Sequence, residues 1–327
     1  MELLRAAIPT RSQFAVGVIC GLAAALIWGG GAVVSRHLVT ADLDPADLTL
    51  LRYVGCFPLA LVLALAMGQR FRLTIPWPRL IVLLLLAGPL YHALVVTGYR
   101  YATAGAGALL LSGLLPIFAF GLSCAVHGRA LSWISTVGLV AVIAGLILFS
   151  GGATVSLAGI AIFAAAALAW ALLNECVRRW QVDPLKLTVT LALFSPLFIP
   201  FYLLSQPSPS LAAPAGELIL QLTYHGWLVA IGATALFFAS VRLAGAPEAA
   251  FLQTLAPAFS AGLGAAILGE SLMLVQGLGL ILTLLGVLVT MRAPRMPHTG
   301  LRGFGTASWL RATFESFGPR LKQSRWS

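Results

Sequence analysis

One stretch of this chain occurs twice, and that repetition limits the fold more than any other feature. Leu115–Gly145 and Ala256–Gly286 align at an offset of 141 positions without a gap. Pro116 falls on Pro257, Gly121 on Gly262, Gly128 on Gly269, Gly138 on Gly279 and Gly145 on Gly286. Proline and glycine set backbone geometry, so their shared register implies one structural plan used twice. The match continues outside this stretch. Gly17, Trp28 and Arg36 correspond to Gly159, Trp170 and Arg178 at offset 142, and Asp44-Pro45 corresponds to Asp183-Pro184 at offset 139.

The solvent of these halves is lipid. Of 327 residues 60% are hydrophobic and 9% charged, against about a quarter charged in a soluble domain. Ten apolar runs are long enough to cross a bilayer as helices, which satisfy their own backbone groups there. The first five are Phe14–Val34, Leu48–Met67, Leu80–Gly98, Gly105–Val126 and Leu131–Phe149. The second five are Leu157–Asn174, Leu187–Leu204, Leu218–Val241, Ala249–Leu268 and Leu274–Thr290. The expected organisation is an N-terminus (1–13), a first five-helix repeat (14–150), a second (151–292) and a basic tail (293–327). Arg5 and Arg11 precede the first run as in a signal peptide, but the run has no cleavage-type site and is read as a retained helix.

Charge placement gives the orientation. With the N-terminus inside, seventeen of the 20 Lys and Arg residues fall on the inner side, among them Arg70, Arg72, Arg79, Arg129, Arg178 and Lys186. Only Arg36, Arg52 and Arg100 lie toward the outer side, as the positive-inside rule requires. Five spans is an odd number, so the second half enters the membrane from the opposite side. The expectation is an all-α membrane protein of two inverted repeats, with both termini cytoplasmic in a plasma (inner) membrane. Such repeats support alternating access at their interface. The net charge of +10 is spread over loops and tail rather than one folded face, which argues against nucleic acid. Cys20, Cys56, Cys124 and Cys176 lack metal-like spacing and read as small apolar residues. No P-loop, zinc motif or nucleophile elbow is present, so neither an enzyme nor a cofactor is expected.

Polar residues inside spans must face protein or water. Trp28 and Trp170 are repeat-equivalent and suit a cavity wall, although helix packing accounts for them equally. Tyr91-His92 lies mid-span, where His92 serves as a core residue, a substrate contact or a proton relay. Ser112 and Gln253 each precede the repeat proline by one turn, where Pro116 and Pro257 free a carbonyl and act as hinges. Asn174 ends the sixth span. Glu175 beside it is either a coupling carboxylate or the partner of Arg178 or Arg179. Arg52 is read first as snorkelling or as pairing with Asp47 or Asp44, and second as a carboxylate binder. Glu248 is read as a favourable charge at a helix N-terminus. Tyr224-His225 is read as an interfacial belt, and Gly29-Gly30-Gly31 as a close-packing face.

Trp28-Gly-Gly, the Asp44-Pro45…Arg52 start of the second helix, Pro116 in the fourth, and Pro257 leading to Leu268-Gly269-Glu270 resemble an EamA-type member of the drug/metabolite transporter superfamily. The resemblance runs from about Phe14 to Arg292. It implies ten helices around a central cavity and export of amino acids or other small metabolites. Where the family commonly repeats its Gly-Glu pair, this chain has Gly128-Arg129. The expected substrate is a small neutral or zwitterionic metabolite. Uptake, lipid-carrier flipping and a scaffold role with the tail as docking element stand as alternatives. Expected partners are that substrate and the bilayer, and a homodimer is compatible with the chain. From Thr306 to Phe317 the tail spaces its aromatics as an interfacial helix would, with disorder as the alternative.

Overall fold

The computed structural model describes residues 10–68, 75–127, 132–150, 155–205 and 213–292. The tail helix, Gly128-Arg129, Arg5, Arg70 and Arg72 lie outside the described residues. Ten helices among the described residues are long and apolar enough to span a membrane. They run Arg11–Thr40, Pro45–Met67, Trp77–Gly98, Ala104–Val126, Trp133–Ser150, Leu157–Trp180, Pro184–Leu204, Ala215–Leu243, Ala246–Leu268 and Leu274–Arg292. They are numbered first to tenth below. The two ends of the bundle are the Arg11 face and the Arg36 face.

The polar punctuation starts these helices. Thr10 caps the first: its hydroxyl accepts the Gln13 N–H at 3.2 Å, and the Gln13 carboxamide accepts the Thr10 N–H at 3.0 Å. The repeated Asp-Pro pairs are equivalent caps. Asp44 accepts the Ala46 N–H at 2.8 Å, and Asp183 accepts those of Leu185 and Lys186 at 2.9 and 3.0 Å. In each, the following proline occupies the first helical position, where no N–H is needed.

Several spans are interrupted. The third, expected as one continuous run from Leu80, breaks at Gly88 and resumes at Pro89. Proline disfavours helical backbone in the residue before it, and glycine tolerates the resulting extended ψ of −147°. The seventh passes through a 3-10 turn at Ser195–Leu197, around Pro196. The eighth widens to a π-helix over Tyr224–Ala233. The two repeat prolines behave differently. Pro116 lies inside an unbroken helix, whereas the ninth span breaks after Gln253 and restarts at Ala256, beside Pro257.

The repeated glycines explain the contact between halves. The fifth and tenth helices form the most extensive pairing in the bundle. A Cβ on Gly145 would stand 2.6 Å from the Gly279 carbonyl oxygen, and one on Gly279 2.7 Å from that of Gly145. Gly138 and Gly286 are opposed in the same way, at 2.9 and 2.7 Å. The offset that maps Gly138 to Gly279 and Gly145 to Gly286 is therefore the pseudo-symmetry of this interface. Backbones approach so closely only where no side chain intervenes, and in lipid such packing holds helices together. The first helix threads the bundle, with Gly29, Gly30 and Gly31 buried against the eighth and ninth spans. Leu65, Val140, Ile147, Leu204 and Ile281 are exposed and give the bundle its apolar outer surface.

Candidate functional site

Between the halves lies a cavity of about 870 Å³. Trp28, Tyr91, His92, Ser112, Trp170, Asn174 and Gln253 all line it, as does Pro116. Pro257 is buried behind its wall. Tyr91 and Trp170 stack with ring centroids 5.0 Å apart, joining the two repeats, and Trp28 packs on Phe237 at 5.7 Å. Gln253 and Asn174 are exposed within the cavity, free to meet a solute.

Among the described residues the cavity has a closed end and an open end. It reaches past Val177, Pro184, Thr188, Thr290 and Met291 to the Arg11 face. Toward the Arg36 face it ends at a polar cluster drawn from four spans, the first, second, third and eighth. Thr49 Oγ1 lies 3.1 Å from His92 Nδ1, and His225 Nε2 lies 3.1 Å from both Ser35 Oγ and the Gly31 carbonyl oxygen. The His92 and His225 rings meet edge to face at 5.6 Å, and Arg52 and Tyr53 complete the wall.

Beyond this cluster the Arg36 face is tied shut. Glu270 accepts hydrogen bonds from the Ala104 N–H at 3.0 and 3.1 Å and lies 3.6 Å from Arg36 Nε. Arg36 also donates to the Tyr99 carbonyl at 2.6 Å. Arg100 pairs with Asp44 at 3.4 Å, and His37 meets Glu217 at 3.0 Å. The first, second, third, fourth, eighth and ninth spans are thereby joined at one end of the cavity.

Two readings from the sequence are corrected. Arg52 pairs with neither acidic neighbour: Asp47 accepts the Tyr202 hydroxyl, and Asp44 is committed to its cap and to Arg100. The Arg52 guanidinium sits instead by the Tyr53 ring, 5.9 Å from its centroid. His225 belongs to no interfacial belt; it is 3% exposed and forms part of the cavity wall. It lies in the π-helical turn, a backbone irregularity that an apolar run does not announce. Glu175 lies outside the cavity wall and pairs with Arg178 at i+3. Glu248 occupies the first turn of the ninth span, as expected. Among the described residues no cluster of His, Cys, Asp and Glu could hold a metal ion.

Ten helices in two halves around a central cavity define a membrane carrier of the inverted-repeat type. The model of the EamA-like transporter family matches residues 15–151 and again 157–292. The chain belongs to that family, which is one of transporters and not of enzymes. A solved structure described only as "Crystal structure of protein" superposes with a TM-score of 0.60 at 20% identity, over 87% of this chain and 99% of that one. That likeness concerns the fold. No curated protein matches.

Proposed function

We propose that the protein carries a small neutral or zwitterionic metabolite across the plasma (inner) membrane by alternating access between its halves, in the direction of export. The supporting observation is the cavity. Its volume lies within the usual range for small-molecule sites, about 300–1,000 Å³. Both repeats build it, it is closed at the Arg36 face, and among the described residues it opens toward the Arg11 face. On the positive-inside reading the Arg11 face is cytoplasmic. A carrier resting in this state loads from the cytoplasm, the side from which an exporter takes its cargo.

Counterflow in proteoliposomes tests this. Vesicles are preloaded with unlabelled amino acids and related metabolites, and entry of labelled compounds is followed. Exchange of at least one compound is expected, with about a tenfold or greater loss in Gln253→Ala, since Gln253 is an exposed polar group of the cavity wall. Exchange that survives the substitution would move the site away from Gln253. Absence of exchange across the whole set, from folded protein, would overturn the transport of small metabolites.

A further inference from the structure

Arg52 is a cation inside the membrane with no carboxylate among the described residues to balance it. It lies seven residues beyond Pro45 on the second helix, about 10 Å below the Arg36 face at 1.5 Å per residue. Asp47 and Asp44 are both engaged elsewhere. No Asp or Glu lines the cavity among the described residues, and Arg52 makes no ion pair there. Its Nε is buried without a hydrogen-bond partner. Retaining a guanidinium in such a place is costly unless something answers it.

Its neighbours are incomplete in the same place. Thr49 Oγ1 donates to the Pro45 carbonyl at 2.7 Å, so it accepts from His92 Nδ1–H. The Gly31 carbonyl can only accept, so His225 Nε2–H donates to it. One N–H on each ring is accounted for. His92 Nε2 and His225 Nδ1 remain buried and unpartnered. Both side chains are more than nine-tenths buried, and both line the cavity with Arg52.

We infer that Arg52 anchors a carboxylate of the transported molecule. The substrate class is then a small organic monocarboxylate, with its apolar body along Tyr91, Trp170 and Trp28. This inference rests on the transporter reading and alters its cargo: zwitterions stay, simple carboxylate anions join them, and neutral compounds without a carboxylate drop out. A planar guanidinium matches a carboxylate with two parallel hydrogen bonds. One cation balances one charge. A phosphate monoester, at about −1.5 to −2, would leave part of its charge unanswered in a poorly solvated site. A zwitterion fits, because the two unpartnered imidazole nitrogens give its ammonium groups to meet once the carboxylate is held. An amine without a carboxylate brings a second positive charge beside Arg52 and nothing to balance either.

The test is equilibrium binding by titration calorimetry on the full chain in detergent. Benzoate, 3-phenylpropionate and L-phenylalanine are each compared with their own primary amide. At least one carboxylate is expected to bind about tenfold or more tighter than its amide, because only the acid answers the guanidinium. In Arg52→Gln that gap closes. Arg52→Lys keeps part of it, as a point charge without the fork. Equal binding of acids and amides, binding of no carboxylate, or a gap that survives Arg52→Gln overturns the inference. Where the glutamine variant fails to fold, Arg52→Lys decides: a gap as wide as in the wild type overturns the inference. Counterflow separates the two readings. Exchange without preference for acids removes the carboxylate site and leaves the carrier. Tight, Arg52-dependent binding with no exchange of any compound leaves the anion site and removes the carrier.

Discussion

Glu270 shows how much one side chain can decide at this site. It follows Gly269, whose left-handed φ of 67° ends the ninth helix and turns the chain back. The carboxylate then satisfies the Ala104 N–H at the start of the fourth helix and faces Arg36 on the first. Opening the Arg36 face must break both contacts. Glu270→Gln keeps the size and one acceptor but removes the charge. It is expected to weaken closure by about 1–2 kcal/mol, on the scale of charge-assisted hydrogen bonds and helix N-terminal charges. The readout is a single cysteine at Ala108, in the cavity wall one turn below Ala104, with the four native cysteines replaced. Labelling by an impermeant maleimide from the Arg36 face should rise several-fold in Glu270→Gln, and an unchanged rate would remove Glu270 from closure. The sequence marks Glu270 only as one half of a family pair; its partner at Ala104 is 166 residues away. Trp28, Ser112, Trp170 and Gln253 could be named in advance, because a polar or repeated aromatic residue in an apolar run stands out. The Arg52 ion pair and the His225 belt position fail for one reason. Sequence gives depth in the membrane, but not the direction in which a side chain leaves its helix.

At the level of elements, count and boundaries follow from apolar length, and caps follow from Asp-Pro. Breaks do not. A span that is apolar all round carries no periodic signal to show where its winding changes. The π-turn at Tyr224–Ala233 is therefore invisible in the sequence, and Gly88-Pro89 reads as part of one helix. The repeated glycines are more informative, and their role at the fifth–tenth contact can be tested by addition of one carbon. Gly145→Ala would press a methyl against the Gly279 carbonyl oxygen and Thr283. Overpacking of this kind costs about 1–3 kcal/mol, so the unfolding temperature of the detergent-solubilised protein should fall. Gly121 has nothing within 4 Å of the position a Cβ would take. Gly121→Ala gains helix propensity, about 0.5–1 kcal/mol, and should leave the protein as stable as before or slightly more so. Equal destabilisation by both substitutions would mean that the glycines are not a packing seam. The comparison has meaning because Gly121 belongs to the same repeat register as Gly145.

Across the whole molecule, inversion makes the two faces comparable and the sequence makes them unequal. The Arg36 face is held by an ion pair between Arg36 and Glu270. The repeat-equivalent residues are Arg178 and Arg129, both cations, so the same pair has no counterpart in the other half. Arg178 is engaged by Glu175 within its own helix. Two related halves tied at the Arg36 face by ion pairs, with none of the Arg36–Glu270 kind at the other face among the described residues, should rest closed at the Arg36 face. A ligand shifts such an equilibrium only by its differential affinity for the two states. The prediction concerns both orientation and rest state. Thr188→Cys, on the open side of the cavity, should label at least about tenfold faster with impermeant reagent in inside-out vesicles than in right-side-out ones. Ala108→Cys should label slowly in right-side-out vesicles until a transported compound is supplied, and faster afterwards, as the carrier visits its other state. Preferential labelling of Thr188→Cys in right-side-out vesicles would invert the topology and, with it, the assignment of export. If Ala108→Cys labels equally fast from both sides without a substrate, the Arg36–Glu270 contact does not close the cavity and rocking about it is not the mechanism.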